Sequence, residues 1–107
     1  MSHYLVQAAF TPESWATMVK NPQDRIAAVT PVVQNLGGKI ECGYMAFGEW
    51  DIVAIIDLPD NVSAAAFAIA VASAGAMKAF RTTPLMDASD AQAAMRKAQS
   101  VGYEPPG

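Results

Sequence analysis

Charge is scarce in this chain. Only 16% of its 107 residues are Asp, Glu, Lys or Arg, against about a quarter in an ordinary globular domain, so the surface has little electrostatic means of keeping copies apart. The few Lys and Arg are scattered and the net charge is −3. No basic stripe is left for phosphates, and nucleic acid is not an expected partner. Cys42 is the single cysteine, which excludes an internal disulfide and any multi-cysteine metal site. In a strand pattern with no histidine near it in sequence, it reads as a small buried hydrophobe and not as a nucleophile. His3 is the single histidine, and no acids cluster in linear order, so no metal and no cofactor are expected. A Ser-His-Asp triad, a phosphate loop and a dinucleotide fingerprint are all missing.

Long hydrophobic runs are missing too. The uncharged stretch at 61–77 is mostly Ala with interior Ser and Gly. It falls short of the roughly 18–20 strongly apolar residues that span a bilayer, so no membrane partner is expected. The start, Met1, Ser2, His3, has no cationic region, long hydrophobic region or cleavage site, and a cytoplasmic location follows by default.

What is present points to an antiparallel sheet. An apolar segment ends at Phe47, followed by Gly48, Glu49, Trp50 and Asp51, and then by Ile52, Val53, Ala54, Ile55 and Ile56. Gly48 stands where a two-residue type II′ turn wants positive φ, with Glu49 completing it, so strands are expected at 39–47 and 50–58. The second of these does not alternate, and a strand apolar on both faces is covered on both.

Tyr4, Val6, Ala8 and Phe10 alternate with His3, Leu5, Gln7 and Ala9 in a first strand. Thr11, Pro12 and Glu13 then start a helix, which Asn21 and Pro22 interrupt. Helical spacing resumes through Ile26, Val29, Val32, Val33 and Leu36 despite Pro31, and Gly37 and Gly38 end it. A helix without any charge is expected at 62–73, a fourth strand at 77–85, and a last helix, capped by Asp87 or Ser89, to about residue 100. Residues 1–101 form one domain and 102–107 a loose tail.

This order is the split β-α-β of an α+β, ferredoxin-like βαββαβ sandwich with an extra C-terminal helix. Its two main helices cover one face of a four-stranded antiparallel sheet, so the strand that needs both faces covered calls for a second copy, the alternative being that the terminal helix folds back over the sheet while the alanines of the uncharged helix tolerate water. The uncharged helix agrees, since a helix without a polar face is normally buried all round.

The chain resembles the GYD-domain family, named for a glycine, a variable residue, tyrosine and aspartate at the hairpin. Gly48, Glu49, Trp50 and Asp51 carry the resemblance, with Tyr4, Leu5 and Val6, Phe10 and Thr11, Leu36 to Lys39, and the exit at Pro59 and Asp60. Trp50 replaces the tyrosine and offers an indole N–H donor in place of a phenol. Residues 20–25 and the Pro-rich tail look private to this protein. The resemblance implies a ferredoxin-like fold of the dimeric α/β-barrel type and no established reaction, because the family is largely of unassigned function.

With a two-residue turn, Phe47 faces Trp50 and Ala46 faces Asp51. Tyr44, Asp51, Val53, Ile55 and Asp57 then share one face, and Met45, Phe47, Trp50, Ile52 and Ile56 the other. If the mixed faces coincide, His3, Gln7, Tyr44, Asp51 and Arg81 line one cleft between sheet and partner. Gln7, Tyr44, Asp51 and Arg81 are the ligand-binding candidates, and His3 and Asp51 the catalytic ones. Each has a plainer role open to it: Asp51 bonding backbone or Arg81, Trp50 filling core or interface, His3 simply exposed. The expected function is a homo-oligomeric small-molecule-binding module. One alternative is a cofactor-independent enzyme similar to the monooxygenases and isomerases of the dimeric barrel, with Arg81 holding an anion. The other is a structural assembly module.

Overall fold

The computed structural model describes all residues, Met1–Gly107. Four antiparallel strands make one sheet: β1 (Ser2–Phe10), β2 (Lys39–Met45), β3 (Ile52–Leu58) and β4 (Met77–Leu85). Their spatial order is β2-β3-β1-β4, which is the ferredoxin-like arrangement, with the two apolar strands at the centre. Helices α1 (Pro12–Lys20) and α2 (Arg25–Asn35) join β1 to β2, and α3 (Asn61–Ser73) joins β3 to β4. A last helix, α4 (Ala88–Ala98), follows β4.

Local chemistry accounts for the breaks. Thr11 Oγ1 accepts the Ser14 N–H, Asp24 accepts that of Ala27, and Asp60 that of Ser63, so the first three helices each start on a side-chain cap. Pro22 keeps α1 and α2 apart. At the end of α2 the Gly38 N–H bonds the Val33 carbonyl and the Gly37 N–H that of Gln34, a pairing that needs left-handed backbone at Gly37, where φ is +83°. Gly38 has a different reason to be glycine: a Cβ there would stand 2.1 Å from the Asp57 carbonyl oxygen.

The hairpin differs from the expected two-residue turn. The strands stop at Met45 and Ile52, and the Ala46 N–H bonds the Asp51 carbonyl at 2.8 Å, closing a loop of four residues. Loops of that length are built without positive φ, and Gly48 accordingly is not in the left-handed region. The pairing of Ala46 with Asp51 holds; that of Phe47 with Trp50 does not.

Tyr4, Val6, Ile56 and Leu58 from the sheet meet Val33 of α2 and Phe67 of α3 in the main buried cluster. Tyr4 satisfies its hydroxyl on Asn61 at 2.7 Å. α2 lies along the outer strand β2, whereas α3 lies along β4 and β3. No helix covers the opposite face. α4 buries none of its residues, and the molecule measures 57 × 36 × 22 Å with a radius of gyration of 17.2 Å, where a compact chain of this length has about 13 Å. Cys42, expected to be buried, is half-exposed on this open face opposite Ile55. No helix is long and apolar enough to cross a membrane.

Candidate functional site

The register sorts the open-face residues into three rows across the sheet. The first is Tyr44–Val53–Gln7–Arg81, the second Cys42–Ile55–Leu5–Thr83, and the third Lys39–Asp57–His3–Leu85. Gln7, Tyr44 and Arg81 therefore do share one face, as their alternation requires. His3 stands four residues along β1 from Gln7, about 13 Å away at strand rise, so it does not join them. Arg81 lies over the Trp50 ring, 5.5 Å from its centroid, a cation–π contact. Asp51 serves the backbone: its Oδ2 accepts the Phe10 N–H at 2.8 Å, beside the irregularity between Ala9 and Phe10, and its own N–H bonds the Ala8 carbonyl. The candidates thus divide into a group near the hairpin and His3 at the far end of the same open face.

At that far end the fold builds a polar cluster. His3 Nδ1 bonds Asp57 Oδ1 at 2.5 Å and lies 3.5 Å from Glu41, while Lys39 Nζ is 4.0 Å from the other Asp57 oxygen. Asp57 is the one buried charged residue of the chain, at 4% exposure. A buried carboxylate persists only when paired, and His3 supplies the pair. The Asp57 hydrogen bond and then the Asp57 charge raise the His3 pKa above its ordinary 6.5, against a smaller effect of desolvation, and the Glu41 charge adds less. Glu41 arrives through a register shift in β2 between Ile40 and Cys42, a bulge of the kind that re-aims a side chain. The acids, scattered in sequence, do cluster in space: one atom each of His3, Glu41 and Asp57 lie within 4.8 Å of one another. The nitrogen-and-oxygen donor set is of a kind that suits a divalent ion, and the Lys39 ammonium stands beside the same Asp57 carboxylate.

The covered face holds something the sequence reading did not find. Because α2 and α3 lie over the outer parts of the sheet, a cavity of about 220 Å³ remains above the central strands. Its floor is Val6, Ala8, Ile52, Ala54 and Ile56, and Phe67, Ala70 and Val71 of α3 form one wall. Sixteen of its seventeen lining residues are hydrophobic; the exception is Arg25 at the start of α2. A smaller hollow of about 190 Å³ beside α1, lined by Ser14, Thr17 and Gln23 among others, shares Arg25 and Ala76 with it. The signal was available in principle, since Ala8, Ala54, Ala70, Ala74 and Ala76 all line the hollow. Read as apolar or polar only, alanine passes for filling.

The chain shows no significant match to any curated protein or to any solved structure. A family model does match it, that of the GYD domain, over residues 4–95. That span includes every strand from Tyr4 on, the hairpin with Gly48 and Asp51, both sides of the cavity and most of α4, and the chain belongs to the GYD-domain family.

Proposed function

We propose that this protein is a homo-oligomeric small-molecule-binding module whose ligand is a compact, largely apolar molecule held between α2, α3 and the sheet. The cavity carries the reading. Ligand sites are concave, mostly apolar hollows with few polar groups, usually about 300–1,000 Å³ for drug-sized molecules, and one of about 220 Å³ suits a smaller guest. Arg25 is its only ionisable lining residue, so the lining is suited to holding a molecule more than to transforming it. The open face supports self-association: Leu5, Val53 and Ile55 are half-exposed on it, Tyr44 is 70% exposed, and α4 does not cover them.

Titration calorimetry with octanamide, a neutral eight-carbon probe, tests the cavity. Saturable one-to-one binding is expected, and Ala70→Phe, which fills the hollow from α3, abolishes it while far-UV circular dichroism stays unchanged. Absence of octanamide binding to the native protein, or full binding to the filled variant, removes the reading.

The enzyme alternative draws on a separate observation. Asp57 holds His3 Nδ1 and leaves Nε2 for another partner, but His3 alternates with the buried Tyr4 and so lies across the sheet from the cavity. Chemistry at His3 would need a second copy to close over the open face.

A further inference from the structure

We infer that Arg25 fixes the anionic head of the cavity's ligand, so that the ligand class is a small apolar monocarboxylate. This deepens the reading of the cavity as the binding site and rests on it. Three observations converge on Arg25. It is the one polar residue of an otherwise hydrophobic lining, and it sits where that lining meets the more polar hollow beside α1. Its guanidinium has no carboxylate within ion-pair distance; its one side-chain bond goes to Gln23 Oε1 at 2.9 Å. Four of its five N–H donors therefore stay available for an oxyanion.

The third observation is its position. Arg25 is the first residue of α2, where the helix dipole disfavours a cation; the adjacent cap, Asp24, gives its carboxylate to the Ala27 N–H and not to the guanidinium. A charge placed against local preference, half-buried and ion-paired to no carboxylate of the chain, fits a partner supplied from outside. The same dipole that disfavours Arg25 favours a carboxylate next to it. A guanidinium fork takes a carboxylate through two parallel hydrogen bonds. The alkyl or aromatic body of such a ligand lies on Ala54, Ala70 and Phe67, and its head comes out at Arg25, next to the hollow of Ser14, Thr17 and Gln23. A carboxylate without that partner would be costly to bring to an apolar hollow.

The test compares octanoate with octanamide, which match in length and shape and differ in charge, by titration calorimetry on the full chain. Octanoate is expected to bind about tenfold more tightly or better. Arg25→Met removes that ratio and leaves octanamide binding in place, and Arg25→Lys, which keeps charge without the fork, retains only part of it. Equal affinity of the two probes for the native protein overturns the assignment while the cavity reading stands. An octanoate preference that survives in Arg25→Met overturns it as well. If neither probe binds the native protein, both readings fall together.

Discussion

His3 keeps its proton to higher pH than a free imidazole because the partner that holds it is a carboxylate with almost no water around it. The sign of the consequence follows from linkage. The folded pKa lies above the ordinary 6.5, so the stabilisation is fully present below about pH 6.5 and is lost as pH rises through the folded value. Melting temperature followed across this range should fall in the native protein, and the fall should be absent in His3→Gln; a parallel fall in both would place its origin elsewhere. Asp60 titrates with the opposite sign. The Ser63 N–H and then the Ser63 hydroxyl lower its pKa from 3.8, so its contribution is present above about pH 3.8 and is lost as pH falls through the folded value. The row of Tyr44, Gln7 and Arg81 was legible in the sequence because alternation in strands fixes faces. The grouping of Glu41 with His3 was not, since one unpaired residue in β2 flips every side chain beyond it.

Among the elements, the helix starts were the most legible. Thr11 with Pro12, and Asp60 with Asn61, carry their cap chemistry within three or four residues, and such signals survive without tertiary context. The hairpin was less so. Gly48 pointed to a tight turn, yet Asp51 spends its carboxylate on Phe10, and that contact across the sheet goes with the longer loop. Glycine at 38 is the contrasting case, fixed by an approach between β3 and the end of α2 that no local pattern reveals. Gly38→Ala would drive a methyl into the Asp57 carbonyl, and a loss of roughly 3 kcal/mol or more is expected in denaturant unfolding. Gly75, at the end of α3, whose Cβ would meet nothing within 4 Å, has only its backbone angle at stake.

For the whole molecule, the order of strands and helices implied a ferredoxin-like sheet with one bare face, and a β3 apolar on both sides then called for a cover on that face. Ile55 stands half-exposed in the middle row of that face. Ile55→Lys should leave far-UV circular dichroism intact and shift native protein to the mass of a single chain in sedimentation, because a charge cannot be buried between two sheets without a partner. A native protein that already sediments as a single chain would refute the self-association argument. The cavity escaped the sequence reading for a reason of scale. It is a deficit of volume spread over five alanines on several elements, and only their assembly turns it into a space.

Between α1 and α2 the chain runs through Asn21, Pro22, Gln23 and Asp24, all exposed and outside the buried clusters. This link carries Gln23 and leads into Arg25 at the border of the two hollows. Surface links tolerate insertion and replacement far better than packed elements do. The entrance to the hollow can therefore diverge among descendants of this protein while the β-sheet beneath it is inherited unchanged.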